Sequence, residues 1–221
     1  MERPLFHHLW YQLLQRMLQL AAVLLYGVRY WGRENIPASG GVLVVSNHQS
    51  HFDPPLVGIG CPRPMNYVAR NSLFRFAPFG RLIHSVGAFP IDREGVGLAG
   101  IKESLRRLKR GEMVVIFPEG TRTRDGAIAP FRPGFTTLAV RSGAAILPVA
   151  IEGAFRVWPR WRKFPGRGRI RVRYGEPILP AELNACDERE LLAKVERRVR
   201  ECHERLKAER DPHAFCITTR S

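Results

Sequence analysis

The sequence predicts an α/β fold: a single domain with a mostly parallel sheet covered by helices, preceded by an N-terminal amphipathic helix. Three observations carry this. Short apolar runs, mostly β-branched and bounded by Gly, Pro or Asn, recur along the chain, as strands buried on both faces require. Segments with helical apolar spacing alternate with them, the pattern of strands joined by crossover helices. No internal repeat or low-complexity linker divides the 221 residues, a length that suits one domain with a sizeable core.

The first element is a helix over Leu5–Val28, which contains no Gly or Pro before Gly27. His8, Gln12, Gln15, Arg16 and Gln19 recur at helical spacing and form a polar stripe. The longest uninterrupted apolar run, Leu20 to Val28, is nine residues, whereas a bilayer crossing needs about 20. The pattern predicts a helix lying in, or dipping into, a membrane interface; packing on the core is the alternative. Val28-Arg29-Tyr30-Trp31 offers no small-residue cleavage site, which argues against a signal peptide.

Five strands follow, over Val42–Ser46, Met65–Ala69, Val86–Ile91, Met113–Phe117 and Ala145–Ile151. Helices are expected over Pro54–Gly60, part of Ser72–Val86, Val96–Arg110 and Pro133–Ser142. Arg156–Tyr174 holds eight Lys/Arg and no acid, and its second half alternates as a strand. Asp187–Arg210 reads as a charged amphipathic helix with Leu191, Leu192, Val195, Val199, Cys202 and Leu206 on one stripe. The organisation is therefore a membrane-associating helix (1–31), a domain (32–210) whose motif-bearing core is 41–154, and a flexible tail (211–221).

Thirty-five Lys+Arg against twenty Asp+Glu give a net charge of +15, which favours an anionic partner: nucleic acid, acidic lipid or a phosphorylated substrate. The four cysteines (Cys61, Cys186, Cys202, Cys216) form no CxxC pair. Neither a zinc site nor a disulfide framework is indicated, and a reducing compartment fits.

The chemistry concentrates in Asn47–Asp53, where two histidines, a serine and an aspartate follow a strand end. His48 and Asp53 are five apart, about 500° on a regular helix, so they meet only if the chain turns before a helix begins. Asp53-Pro54-Pro55 supplies that turn, with Asp53 suited to the N-cap and Pro54 to the first helical position. A carboxylate that caps its helix has fewer oxygens for a histidine, although two oxygens can serve both. A histidine held by a carboxylate is a general-base arrangement of hydrolases and acyltransferases. Alternatives are a metal site on His48, His51 and Asp53, which lacks further ligand motifs, and Ser50 as nucleophile, which lacks a G-x-S-x-G elbow.

A second segment, "MVVIFPEGTRTRDG" (113–126), is a buried strand that breaks at Pro118 into a Gly-centred turn rich in arginine. Arg122 and Arg124 flank Thr123, and Arg132 precedes Pro133-Gly134 at the next helix. Guanidinium forks near a helix start suit phosphate; a solvated basic turn is the plainer reading. In "GAFPIDRE" (87–94), Arg93 stands at a third strand end.

NHQSHFD (47–53), GAFPIDR (87–93), FPEGTR (117–122) and ILPVAI (146–151) together resemble the four ordered blocks of the phospholipid/glycerol acyltransferase family, nearest to bacterial 1-acylglycerol-3-phosphate acyltransferases. The resemblance covers roughly residues 35–155. It implies a His-x4-Asp dyad at His48 and Asp53, and acceptor and phosphate recognition by Arg93, Glu119, Gly120, Thr121 and Arg122. It implies a thioester donor, acyl-CoA or acyl-carrier protein, as co-substrate, with no cofactor and no metal. The implied acceptor is lysophosphatidate, made into phosphatidate at the cytoplasmic face of the cell membrane by a peripheral or monotopic protein on anionic phospholipid. Acylation of glycerol-3-phosphate or another lysolipid would use the same residues. A basic nucleic-acid-binding domain would account for the charge but not for the His48 and Glu119 blocks, so no nucleic acid partner is expected. Pro90 stands where the family often has a large apolar residue. The N-terminal hydrophobic region is shorter than in members with spanning helices.

Overall fold

The computed structural model describes residues 5–91, 98–183, 185 and 187–209. Seven strands are formed among them: β1 (Arg29–Trp31), β2 (Val42–Ser46), β3 (Met65–Arg70), β4 (Ala88–Ile91), β5 (Met113–Ile116), β6 (Ala145–Glu152) and β7 (Arg171–Tyr174). They make one sheet in the order β1-β7-β6-β2-β5-β3-β4. Every adjacent pair is parallel except β6 with β7, which is antiparallel. The central strand β2 is buried at every position, and β6 is buried along all eight of its residues. Both faces of these strands are therefore covered, which is why they read as continuous apolar runs rather than alternating ones.

The helices divide between the two faces. The core on one face joins alternate residues of β2 and β6 (Val42, Val44, Leu147, Val149) to Leu56 and Val57 of α2 (Asp53–Ile59) and to Ala154 and Val157 of α6 (Ala154–Val157). Ala22 and Tyr26 of α1 (Leu5–Tyr26) pack on the same face. The opposite core joins Leu43, Val45 and Ile146 to Leu108 of α4 (Leu98–Lys109), Leu138 of α5 (Phe135–Ser142), Leu183 of α7 (Pro180–Leu183) and the stripe of α8 (Glu188–Ala208). The remaining helix, α3 (Ala77–Ser85), follows a 3-10 turn over Asn71–Phe74.

Helix α8 begins with a capping box between Asp187 and Glu190. It buries Leu191, Val195, Val199 and Leu206 almost completely, each contributing about 1.5–3 kcal/mol relative to exposure.

Two differences from the sequence reading concern the termini of the fold. Residues 29–31, grouped by sequence with the helix, form β1 and pair with β7 at the sheet edge. Three residues carry too little alternation to announce a strand; the partner supplies the ladder.

The second difference lies in α1. Its Gln15 does not belong to a solvent stripe: its amide donates to the carbonyls of Gly58 (3.0 Å) and Cys61 (2.6 Å). Tyr11 is buried and accepts from the Met65 N–H at 3.3 Å. The helix thus docks through Tyr11, Gln15, Ala22 and Tyr26, while Leu13, Met17, Leu20 and Leu24 point outward. Gln12 and Arg16 remain exposed. No helix of the described residues is long and apolar enough to cross a membrane.

Candidate active site

Strands β5 and β6 flank β2, so the loops that leave their C-terminal ends meet at one edge of the sheet. In parallel sheets that edge commonly carries the site. Asn47, the first residue after β2, ties the loop down. Its side chain donates to Ile151 O (3.0 Å) and accepts from Ile151 N–H (2.8 Å), as a third strand partner would.

The next residues turn tightly around Asp53. Its Oδ2 accepts from His48 Nδ1 (2.7 Å), Gln49 N–H (2.5 Å) and Ser50 N–H (2.7 Å). Asp53 is fully buried, and its Oδ1 has no hydrogen-bond partner among the described residues. An ionised carboxylate only accepts, so Nδ1 carries the ring proton and Nε2 keeps a lone pair. His48 stacks on Phe117, with ring centroids 4.2 Å apart, and its side chain keeps 19% exposure. One ring nitrogen is held, and the other is left for chemistry.

The N-cap role expected for Asp53 is not the one observed. Asp53 is the first residue of α2, and the cap position belongs to Phe52, which makes no side-chain cap bond. Pro54 and Pro55 have no N–H to offer, so the first turn lacks the donors a cap would satisfy. The carboxylate turns backward to residues 48–50 instead. That resolves the competition between capping the helix and holding His48.

The other side chains of the loop are structural. Ser50 Oγ donates to Trp158 O (2.8 Å) and accepts from Phe52 N–H (3.1 Å), buried and away from any role as nucleophile. His51 packs against Trp158, centroids 4.8 Å apart. Burial, and then the nearby Arg122 charge, push the His51 pKa down. No group of three or more His, Cys, Asp or Glu is placed to hold a metal among the described residues.

The loop after β5 closes over His48. Thr123 N–H donates to His48 O (2.8 Å), and Glu119 Oε1 accepts from His48 N–H (2.7 Å). Gly120 adopts φ +70, and a Cβ there would stand 3.1 Å from the Arg132 guanidinium carbon. Glycine serves both the left-handed conformation and the close approach. Thr121 is exposed and Arg122 half-buried, close enough to lower the His51 pKa.

The structure therefore brings His48, Asp53, Glu119, Gly120, Thr121 and Arg122 to one edge. Arg93 lies outside the described residues. Sequence reasoning missed Asn47, Phe117, Thr123 and Trp158. The first three are within or beside the recognised blocks, whereas nothing local marks Trp158, whose carbonyl meets Ser50 from 108 positions away.

Residues 27–152 match the family model described as Acyltransferase. The 1-acyl-sn-glycerol-3-phosphate acyltransferase of Bacillus subtilis is 31% identical over 186 residues, covering 84% of this chain and 90% of that protein. The enzyme of the same name from Pseudomonas aeruginosa is 37% identical over 164 residues, 71% of this chain and 61% of that one. The crystal structure of PlsC, the 1-acyl-sn-glycerophosphate acyltransferase of Thermotoga maritima, superposes with a TM-score of 0.80 at 29% identity, covering 91% of this chain and 81% of that one. A parallel-sheet edge that presents a carboxylate-held histidine, on a chain whose blocks match from residue 27 to 152, places this protein in the acyltransferase family.

Proposed function

We propose that the protein transfers a fatty acyl group from acyl-CoA or acyl-carrier protein to the free hydroxyl of 1-acylglycerol-3-phosphate, giving phosphatidate. The observation that carries the chemistry is the 2.7 Å bond from His48 Nδ1 to Asp53, which leaves Nε2 as the acceptor. His48 Nε2 removes the hydroxyl proton as that oxygen attacks the thioester carbonyl. Asp53 stabilises the imidazolium that forms. The new C–O bond is complete when the C–S bond breaks, and the thiolate takes its proton from the imidazolium. A leaving thiol of pKa about 8.5 needs little acid assistance. The acceptor assignment rests on relatives named for that acceptor and on the arginine-bearing turn at Gly120–Arg122; the contact expected of Arg93 lies outside the described residues, and no cofactor or metal enters the scheme.

The membrane reading has its own support. Leu13, Met17, Leu20 and Leu24 form an outward apolar stripe on α1, with Leu20 61% and Leu24 73% exposed. The loop 158–169 presents Trp161 (62%) and Phe164 (78%) among Arg160, Arg162, Lys163 and Arg167, all exposed. Ile170 N–H donates to Tyr26 O at 3.2 Å, so this loop flanks the end of α1. Apolar side chains beside several cations suit an anionic phospholipid interface, at which each basic residue contributes roughly 1 kcal/mol. These features support a peripheral or monotopic attachment to an anionic phospholipid surface, and the cytoplasmic face of the cell membrane is the one we propose.

The experiment is an assay of purified protein on anionic vesicles against lysophosphatidate, glycerol-3-phosphate and neutral lysolipids, each with both donor types. A preference for lysophosphatidate is expected, with turnover lowered about 10²–10⁴-fold in folded His48→Ala. Equal rates on neutral lysolipids would remove the acceptor assignment, and an active His48→Ala protein would remove the base.

A further inference from the structure

Glu119 is 4% exposed, and the acyl-transfer steps above give it no work. Both of its oxygens are taken by the main chain. Oε1 accepts from His48 N–H at 2.7 Å, and Oε2 accepts from Ala129 N–H at 3.0 Å. The His48 carbonyl is held in turn by Thr123 N–H at 2.8 Å. The loop after β5 therefore grips both main-chain polar groups of His48, while Asp53 grips its ring.

We propose that Glu119 is a positioning residue for His48 and not a ligand of the acceptor. This rests on His48 being the general base. A ring fixed at Nδ1 alone can still swing with its own backbone. Anchoring the N–H and the carbonyl removes that freedom, so Nε2 meets the acceptor hydroxyl in one place. A misplacement of about 1 Å at a reacting group costs on the order of 10²-fold. Only a carboxylate serves both N–H groups here, because the NH2 of a glutamine would confront one of two donors. Burial pushes the Glu119 carboxyl pKa up, while the Ala129 and His48 N–H bonds oppose that shift. The titratable groups facing it are His48 and Asp53. Within the segment from Glu119 to Thr123, Glu119 and Thr123 both face the catalytic loop.

The test is Glu119→Gln, with steady-state constants for both substrates and a thermal melt of the full chain on vesicles. A positioning residue predicts a fall in kcat of about 10- to 100-fold, with both KM values within about threefold. An acceptor ligand predicts the reverse, a KM for lysophosphatidate raised tenfold or more with kcat kept; that result overturns the proposal. His48→Ala is assayed beside it. If His48→Ala is active, the base reading fails; if it is inactive while Glu119→Gln shifts only KM, positioning alone fails. Should Glu119→Gln not fold, Glu119→Asp decides, because it keeps the charge and withdraws the oxygens from the two N–H groups. A lowered kcat with both KM values kept supports positioning, and a raised lysophosphatidate KM with kcat kept overturns it.

Discussion

Replacing Asp53 by asparagine isolates the charge of the dyad from its shape. Three donors converge on Oδ2, the His48 ring and the N–H groups of Gln49 and Ser50, while Oδ1 has no partner among the described residues. The asparagine oxygen should therefore keep the Oδ2 position, because turning the NH2 there would set it against two backbone donors. The Nδ1–H tautomer of His48 survives, and what disappears is the negative charge beside the imidazolium of the transition state. With Nδ1 and Oδ2 2.7 Å apart, the charge centres lie about 4 Å apart. At an effective dielectric constant of about 20 their attraction is about 4 kcal/mol. At 1.36 kcal/mol per decade this predicts a kcat lowered about 10³-fold. The assay follows thiol release from acyl-CoA with lysophosphatidate on anionic vesicles, beside a melt of the same preparation. A folded Asp53→Asn protein retaining more than about a tenth of wild-type kcat would refute the electrostatic role of Asp53.

Three further outcomes are expected. Arg122→Lys keeps the charge but loses the guanidinium fork, so the lysophosphatidate KM should rise, with Arg122→Ala worse by roughly 10- to 100-fold in kcat/KM; a change confined to the acyl-CoA KM would reverse the assignment of the two substrates. Leu20→Glu with Leu24→Glu, on the outward stripe of α1, should weaken sedimentation with anionic vesicles without lowering Tm, since neither side chain packs on the core; a lowered Tm with unchanged vesicle binding would make that stripe part of the fold. Glu152, buried beside His203 at 3.0 Å and Arg156 at 3.1 Å, tests a pH-dependent stability. Burial pushes its carboxyl up, but the His203 hydrogen bond and the His203 and Arg156 charges outweigh this and hold it below the ordinary value of 4.5. A depressed folded pKa contributes stability that is present above the unfolded value and lost as pH falls through the folded one. Glu152→Gln should therefore lower stability at neutral pH by about 1–3 kcal/mol, and the gap to wild type should narrow as pH falls below the ordinary 4.5 and through the depressed folded value; a gap independent of pH, measured by denaturant titration, would contradict the pairing.

Much of this protein was legible in its sequence, for reasons that are local. The five runs Val42–Ser46, Met65–Arg70, Ala88–Ile91, Met113–Ile116 and Ala145–Glu152 are strands because a strand buried on both faces needs only consecutive apolar, mostly β-branched residues. The stripe of α8 is likewise written in the helical spacing of its own residues. The His48–Asp53 pairing was recoverable because both residues lie within one short turn, and a double proline fixes where the helix begins.

Tertiary structure decided what local pattern leaves undetermined. Gln15 reads as a solvent-facing glutamine until the carbonyls of Gly58 and Cys61 arrive beside it from 43 and 46 positions away. Glu119 reads as an acid among arginines until two backbone N–H groups, His48 and Ala129, converge on its oxygens. Arg29–Trp31 becomes a strand only because β7 lies alongside it. In each case the side chain or segment is polar or short, and its free energy depends on which partner replaces water. The partner is set by the order of the strands, so the amino-acid pattern specified the elements and the packed sheet specified their roles.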